Sequence, residues 1–352
     1  MKPSKMLVLE VSGILMAVVT ALLCGFVVIF LTSSEPFTAI SALFLDPLSS
    51  WFNVGTILNK AVPLILTGLA VSVVLQTGVF SMGAEGQLYM GSFLGALTAV
   101  YLPGLSPWIH LPLVLLAALI GGAIFGAIPG ILKAYMNANE IVTTLMLNFV
   151  AILLTSYFVN NQFKAQGGGY AKMENINKDI LLAKIIPGTS AHAGILIALA
   201  AVVIVYLLLY KTSLGYELRL VGKNGHFARY GGIATRRIIV ISVMISGALA
   251  ALAGIVEILG IQGTFKQNFS AGLGFDGIII ALLARNHPVG VLIAGLFYAY
   301  IQVGAQTMQY GSDMPREVAV IIQVMLVLLV TAQAIFTFLK QRCAKNEQKA
   351  VK

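Results

Sequence analysis

The chain has 352 residues, of which 59% are hydrophobic and only 10% charged, and its formal net charge at neutral pH is +9. Soluble domains carry about 25% charged residues, so this composition excludes a water-soluble globular fold and indicates an integral membrane protein. The two cysteines do not form the pattern of a disulfide framework. The basic residues collect at the ends of apolar runs, a pattern of membrane orientation that argues against nucleic-acid binding.

Apolar runs separated by charged or Pro/Gly-rich segments predict about ten transmembrane helices. The predicted helices cover residues 11–31, 54–75, 86–102, 112–132, 141–159, 193–210, 237–259, 275–285, 289–309 and 317–339. The eighth, 275–285, is too short to span a bilayer alone, so it is expected to be a half-helix or to lie in a protein-lined cavity.

We predict a single all-α membrane domain over 1–352, with one extra N-terminal helix followed by two inverted repeats of four helices. Its parts are the N-terminal helix and outside segment (1–53), the first repeat (54–159), an outside loop (160–192), a linking helix (193–210), a cytoplasmic coupling loop (211–236), the second repeat (237–339) and a basic cytoplasmic tail (340–352). Lys and Arg predominate in both termini and in the coupling loop, which predicts that all three are cytoplasmic. Inverted repeats are typical of transporters whose site lies at the repeat interface.

Each repeat contains a glycine-rich break that carries an acid: GVFSMGAEGQ at Gly78–Gln87 in the first and GLGFDG at Gly272–Gly277 in the second. A charge inside a membrane helix costs about 2.5–3.5 kcal/mol on insertion scales, so it faces a cavity or a partner. Two interpretations of Glu85 stay open. Either the break lines a translocation path, or Glu85 caps a helix start and pairs across the bundle. Asp276 is its counterpart, at a helix N-terminus that stabilises an acid without any function.

Three further features concern helix packing. Asn148 lies in an uncharged helix, so its amide needs either an interhelical hydrogen bond or a substrate contact. Glu257, inside the seventh helix, also needs a buried partner, which the sequence does not identify. Glycines recur every fourth residue in the third and fourth helices, which predicts close helix packing; they are Gly91 and Gly95, then Gly122, Gly126 and Gly130.

Four segments in this order resemble one protein family. They are the break at Gly78–Gln87, NEIVTTLMLNFVA at Asn139–Ala151, LGYELRLVGKNGHFARYGGI at Leu214–Ile233 and GLGFDGIIIALLARNHPVG at Gly272–Gly290. The chain resembles the permease subunits of ATP-binding-cassette (ABC) importers of the branched-chain amino acid and simple-sugar type. The resemblance covers about residues 61–330 and is greatest to the nucleoside-uptake permeases that work with basic-membrane-protein-like lipoproteins.

The resemblance implies a type II ABC importer permease in the cell membrane, with no cofactor of its own and with ATP bound by a separate ATPase subunit. It also implies a second permease subunit, expected to be a different chain, an extracytoplasmic substrate-binding lipoprotein and a nucleoside substrate. In the family, the segment Glu217–Ile233 forms a coupling helix that sits in a cleft of the ATPase. Its expected contact residues here are Glu217, Arg219, Gly222, Asn224 and Arg229.

A nucleoside is neutral and hydroxylated and has an aromatic base, so amides, hydroxyls and aromatic rings suit its path. The predicted path residues are Phe80, Ser81, Glu85, Gln87, Tyr89, Asn148, Asp276 and Gln302. Four residues depart from the family pattern: Ser81 stands where Asn is usual, Phe227 and Gly231 where Ala is usual, and Ala284 where Gly is common.

Alternatives stay open at this point. The chain could serve a simple sugar or another small polar solute, or it could be an ion-coupled secondary transporter in which Glu85, Glu257 and Asp276 bind the coupling ion. An enzyme is not expected, because GKNG at Gly222–Gly225 lacks the upstream glycine and the Ser/Thr of a P-loop. The four histidines are scattered, so no metal site is expected.

Overall fold

The computed structural model describes residue 23, residues 26–102, 104–165 and 171–313, and residues 318, 320, 321, 324 and 325. Within these residues the fold is all-helical, and extended backbone pairs only as isolated bridges, Lys172 with Lys266 and Lys184 with His192. The predicted first and tenth spans and the C-terminal tail lie largely or wholly outside the described residues.

Twelve α-helices are numbered here in chain order: α1 (Pro36–Phe44), α2 (Asp46–Ser49), α3 (Trp51–Gln76), α4 (Ala84–Tyr101), α5 (Pro107–Met136), α6 (Glu140–Asn161), α7 (Gly194–Lys211), α8 (Ser213–Lys223), α9 (Gly225–Tyr230), α10 (Thr235–Glu257), α11 (Leu273–Leu283) and α12 (Pro288–Gly311). A 3₁₀ turn covers Lys178–Ile180, and a π-helix over Ile258–Gln262 continues α10. Residues 26–32 are also helical.

Eight of the predicted helices match helices of the structure, from α3 to α7 and from α10 to α12. The largest shift is at α5, which begins at Pro107, five residues before its predicted start. Six described helices are long and apolar enough to cross a membrane, namely α3, α5, α6, α7, α10 with its π-helical end, and α12. The short apolar helix α11 has 11 residues, in agreement with the predicted half-helix.

Residues within Met1–Ile57 and Phe297–Lys352 form one compact unit. In it, α1 packs against the second half of α12, where the Tyr300 hydroxyl donates to the Phe44 carbonyl at 2.5 Å and the Thr307 hydroxyl donates to the Ala42 carbonyl at 2.6 Å. Asp313 accepts hydrogen bonds from the Ser33 hydroxyl at 2.5 Å and from the Ser34 N–H at 2.7 Å. These bonds lower the pKa of the Asp313 carboxyl.

Residues Leu58–Leu296 form the second compact unit. Its centre is the packing of α4, α5 and α10, which approach closely because glycines face one another. A Cβ added to Gly91 would lie 2.1 Å from the Ala251 Cβ, and one added to Gly122 would lie 2.2 Å from the Gly247 carbonyl oxygen. The small-residue packing predicted from the glycine spacing is therefore confirmed.

The segment predicted as an outside loop, 160–192, forms backbone hydrogen bonds with the segment that follows α10. The Met173 N–H donates to the Phe265 carbonyl at 2.9 Å, and the Ile176 N–H donates to the Gly263 carbonyl at 2.9 Å. The Thr264 hydroxyl also donates to the Met173 carbonyl at 2.8 Å. The loop 171–182 therefore supports the non-helical segment 263–272 that leads into α11.

Candidate functional site

The first break runs from the end of α3 at Gln76 to the start of α4 at Ala84. Gly78 has a φ of +74°, which an L residue rarely adopts, so the chain turns there. The Ser81 hydroxyl accepts the Gly83 N–H at 3.2 Å, and Phe80 is half-buried. The break therefore leaves main-chain polar groups that need partners from other helices.

Asn148 and Thr144, one turn apart on α6, supply those partners. The Asn148 Oδ1 accepts the Gly86 N–H at 2.9 Å, and its Nδ2 donates to the Met82 carbonyl at 2.8 Å. The Thr144 hydroxyl accepts the Met82 N–H at 3.1 Å. Asn148 thus makes the interhelical hydrogen bonds that the sequence left as one of two options.

Glu85 joins the first break to the second. Its carboxylate, 3% exposed, accepts the Gly274 N–H at 2.7 Å and is also hydrogen-bonded by the Ser270 side chain and the Gly272 backbone. These groups lie at the start of α11, so Glu85 caps that helix, where the N-terminal dipole stabilises a negative charge. Asp276, half-buried in the first turn of α11, is close enough to act electrostatically on Glu85.

The N-termini of α4 and α11 are in backbone contact at this point. A Cβ added to Gly274 would lie 2.3 Å from the Glu85 nitrogen, so only glycine permits the approach. The junction of these two N-termini, called here the half-helix junction, comprises Ser81–Gln87 and Ser270–Gly277. It carries two acids and the positive ends of two helix dipoles.

Aromatic rings cover one side of the half-helix junction. Tyr89 is buried, its hydroxyl accepts the Ser270 N–H at 3.4 Å, and its ring meets Phe269 at 5.0 Å and Phe265 at 6.4 Å between centroids. Phe93 in turn contacts Phe265 at 5.5 Å. Tyr89 was among the predicted path residues. Phe265 and Phe269 were not, because their position depends on the folding back of segment 263–272.

Two predicted path residues differ from the rest. Gln87, on the first turns of α4, is 1% exposed, and neither of its amide atoms has a hydrogen-bond partner among the described residues. Its Nε2 lies against Gly126 of α5. Gln302 is half-buried on α12, in the other compact unit. The second unit thus brings together Ser81, Glu85, Tyr89, Asn148 and Asp276 around one junction.

The predicted coupling loop is built from α8 and α9. The Thr212 hydroxyl caps α8 by accepting the Gly215 N–H at 3.1 Å, and the Asn224 side chain caps α9 by accepting the Phe227 N–H at 3.0 Å. Gly222, Asn224 and Arg229 are exposed, as contact residues require.

The other two predicted coupling residues, Glu217 and Arg219, are half-buried. The Arg219 guanidinium lies 4.9 Å above the Tyr210 ring, and its Nε donates to the Gly215 carbonyl at 3.3 Å. Arg219 therefore holds α8 against α7.

Gly222 connects the coupling loop to the first break. A Cβ added to Gly222 would lie 2.0 Å from the Gln76 carbonyl oxygen, and one added to Gly78 would lie 3.3 Å from the Gly222 Cα. The end of α8 is thus in backbone contact with the segment that leads to Glu85. Gly222 was predicted as a coupling residue, but its contact with Gln76 could not be predicted from the sequence.

Exposed aromatic side chains also mark the coupling loop. Tyr230 is 93% exposed, and Tyr216 and Phe227 are also largely exposed. Aromatic residues beside an exposed arginine are typical of protein interfaces. Phe227 was noted only as a departure from the family pattern, because a sequence alone does not show which aromatics of an amphipathic segment are left uncovered.

Comparisons with known proteins agree with the resemblance of the motifs. Residues 53–331 match the family described as the branched-chain amino acid transport system permease component. The chain is 38% identical over 333 residues to a glucose ABC transporter permease of Haloferax volcanii, with 91% of this chain and 87% of that protein covered. It is 34% identical over 340 residues to a guanosine ABC transporter permease of Bacillus subtilis, with 94% and 96% covered. A nucleoside ABC transporter permease of Lactococcus lactis is 29% identical, with 91% and 90% covered.

Proposed function

The chain belongs to the family of branched-chain amino acid transport system permease components, and from that premise we propose that it forms the membrane path of an ABC importer for nucleosides. The choice of nucleoside rests on the relatives named as guanosine and nucleoside permeases, each matched over at least nine-tenths of this chain. A simple sugar is the second candidate, because a relative named as a glucose permease is 38% identical.

The half-helix junction is the centre of the proposed path. Two helix N-termini meet there inside a largely apolar unit, which is how broken helices form solute sites in other membrane transporters. In the structure, the polar atoms of Glu85 and Asn148 are hydrogen-bonded to the backbone of the two breaks. We therefore assign these two residues the role of stabilising the shape of the path. Within Leu58–Leu296, the proposed solute-facing residues remain Phe80, Ser81, Gln87, Tyr89 and Asp276. Gln302, on α12, stays a separate proposal.

The energy source in this proposal is a separate ATPase subunit that binds α8 and α9 from the cytoplasm. Its contacts would include Glu217, Arg219, Gly222, Asn224 and Arg229, together with the exposed aromatics Tyr216, Phe227 and Tyr230. The backbone contact of Gly222 with Gln76 supports this, because movement of α8 would reach the first break directly. ATP binding would then supply the free-energy difference between inward-open and outward-open states.

The remaining parts of the proposal concern topology and assembly. We propose ten spans with both termini cytoplasmic, two inverted repeats, a second permease of different sequence and a substrate-binding lipoprotein on the outside. The charge distribution of the coupling loop and the two glycine-rich breaks support the topology. Adjacent genes encoding an ATPase, a second permease and a lipoprotein would identify the subunits to purify.

The test is uptake by the whole transporter in proteoliposomes, with radiolabelled guanosine and glucose supplied in parallel. We expect ATP-dependent guanosine uptake that stops when a non-hydrolysable ATP analogue replaces ATP. If glucose were taken up and guanosine were not, the transported solute would be a simple sugar and not a nucleoside. Uptake by this chain alone, driven by a proton or sodium gradient and indifferent to ATP, would contradict the importer proposal.

A further inference from the structure

The connection between α11 and α12, called here the α11–α12 joint, comprises Arg285, Asn286 and His287 and has an unusual backbone. Arg285 and Asn286 have φ values of +51° and +59°. L residues rarely adopt this left-handed conformation, and strained backbone of this kind persists only where the surrounding structure imposes it, often at switch regions. The Asn286 Oδ1 is also buried without a hydrogen-bond partner among the described residues. The neighbours of the joint therefore hold it in a costly conformation.

Gln76, at the end of α3, is one of those neighbours. Its Nε2 donates to the Asn286 carbonyl at 3.1 Å. The main-chain carbonyl of Gln76 lies against Gly222 of α8, where an added Cβ would be 2.0 Å from the oxygen. Gln76 thus contacts the coupling loop with its backbone and the α11–α12 joint with its side chain.

Tyr210, near the end of α7, makes a second connection between the coupling loop and the α11–α12 joint. Its ring lies 5.4 Å from the His287 ring between centroids, and the Arg219 guanidinium of α8 lies 4.9 Å from the centre of the Tyr210 ring. Tyr206, one turn earlier on α7, also contacts the His287 ring at 6.1 Å. Two separate sets of contacts therefore hold the joint, and each of them includes a residue of α8.

The helix α11 connects the α11–α12 joint to the half-helix junction. It has 11 residues and no internal proline, so it is a straight element about 16 Å long. Its far end is capped by the Glu85 carboxylate, which accepts the Gly274 N–H at 2.7 Å. Because a few residues at the end of an element are enough to form a hinge, a change of conformation at Arg285 and Asn286 would move the capped end of α11 relative to Glu85.

We propose that the α11–α12 joint is a hinge through which the coupling loop moves α11, with Gln76 and Tyr210 as the positioning residues that transmit the movement. A displacement of α8 by the ATPase subunit shifts both contacts, and the joint then leaves its left-handed conformation. This inference rests on the proposed function and deepens it, because it adds a route from the motor to the second break. The contact of Gly222 with Gln76 supplies the route to the first break.

The first experiment measures movement across the hinge in proteoliposomes that contain the complete transporter. Spin labels are attached to Phe275→Cys on α11 and Ile293→Cys on α12, at side chains that are 41% and 65% exposed, after both natural cysteines have been replaced by serine. We expect the distance between the labels to change when a non-hydrolysable ATP analogue binds. Adding Gln76→Glu should abolish the change, because a carboxylate has the same shape but no N–H to donate to Asn286.

The second experiment measures the uptake of guanosine per ATP hydrolysed, without labels, which a purely structural role would not alter. Gln76→Glu and Tyr210→Leu should each lower this ratio about tenfold, within the usual range of coupling between sites, while the ATPase subunit stays bound. Tyr210→Phe keeps the ring contacts and should keep the wild-type ratio. Gln162→Glu, which replaces an exposed glutamine at the end of α6, is the matched control.

The outcomes separate this inference from the proposed function. If the wild type transports guanosine but Gln76→Glu and Tyr210→Leu keep its uptake per ATP hydrolysed, the inference is overturned alone. The same holds if nucleotide leaves the distance between the labels unchanged in a transporter that takes up guanosine. Tyr210→Leu carries the test if Gln76→Glu does not reach the membrane. A wild type without ATP-dependent uptake would overturn the proposed function and this inference with it.

Discussion

The carboxylate of Glu85 accepts the backbone N–H of Gly274 at 2.7 Å, although the two residues are 189 positions apart in the chain. An acid in the first break therefore caps the helix that begins in the second. The two breaks are thus one structural element, and any motion that separates α4 from α11 has to break this contact. A transport cycle that opens a path at the junction would pass through that step.

Replacing Glu85 tests this contact. Glu85→Ala leaves buried N–H groups at the start of α11 without an acceptor, and the loss of a hydrogen bond to a charged group costs about 1.5–3 kcal/mol. We expect a lower melting temperature of the purified protein and loss of uptake. Glu85→Gln keeps one acceptor oxygen and should have a smaller effect on both. Glu174→Gln, which replaces an exposed acid, is the control. If Glu85→Ala had the same melting temperature and uptake rate as Glu174→Gln, the cap would be dispensable.

Gly222 offers a test of the link between the coupling loop and the first break. Gly222→Ala places a Cβ 2.0 Å from the Gln76 carbonyl, which forces the end of α8 away from α3. We expect the ATPase subunit to remain bound while the uptake per ATP hydrolysed falls at least about tenfold, equivalent to about 1.4 kcal/mol. Gly225→Ala is the matched control, because its Cβ would meet no atom within 4 Å. If Gly222→Ala and Gly225→Ala gave the same uptake per ATP hydrolysed, the link between the coupling loop and the first break would be excluded.

Asn148 is expected to stabilise the first break by using both ends of its amide. Asn148→Ala leaves the Gly86 N–H and the Met82 carbonyl unpaired, and each unsatisfied buried group costs about 1–3 kcal/mol. Asn148→Asp keeps an acceptor for Gly86 but loses the donor to Met82, so its melting temperature should lie between those of Asn148→Ala and the wild type. Asn161→Ala, whose exposed amide bonds only within its own helix, should be neutral. A neutral Asn148→Ala would mean that water replaces both bonds.

The helices were predictable because membrane spans are read from uninterrupted apolar length, which is a local property of the chain. The short helix α11 and the glycine contacts between α4 and α5 follow from equally local signals. The partners of Glu85 and Gly222 were not predictable, because each pairs residues that only the three-dimensional fold brings together. The helices α1 and α2 were missed for another reason: each is too short to show a clear period in a segment of mixed polarity.

The exposed aromatics of the coupling loop should contribute to binding of the ATPase subunit. Large aromatic side chains dominate the binding energy of many interfaces, where truncation to alanine costs about 2 kcal/mol or more. Tyr230→Ala and Phe227→Ala should therefore weaken the affinity of the ATPase subunit about 30-fold, with an unchanged melting temperature of the isolated permease. Tyr157→Ala, at an exposed tyrosine on α6, is the control. Wild-type affinity in both coupling-loop variants would remove these residues from the interface.

His192 should make the stability of the protein depend on pH. The side chain is buried just before α7; its Nδ1 accepts the Gly194 N–H at 3.0 Å, and its Nε2, which therefore carries the proton, has no partner among the described residues. Burial lowers the pKa of His192 below its usual value of 6.5. The unfolded chain therefore takes up a proton at a higher pH than the folded protein does, and protonation favours unfolding.

The sign of the effect follows from that difference in pKa. Well above pH 6.5 the imidazole is neutral in both states and the free energy of unfolding does not depend on it. As the pH falls below 6.5, the free energy of unfolding decreases until the pH reaches the lowered pKa of the folded state. Melting temperatures of the detergent-purified protein between pH 8 and pH 5 should thus fall on the acid side, and the slope should be smaller for His192→Gln. The His110→Gln variant is the control for replacing a buried histidine, and a wild-type slope in His192→Gln would exclude His192 as the source of the effect.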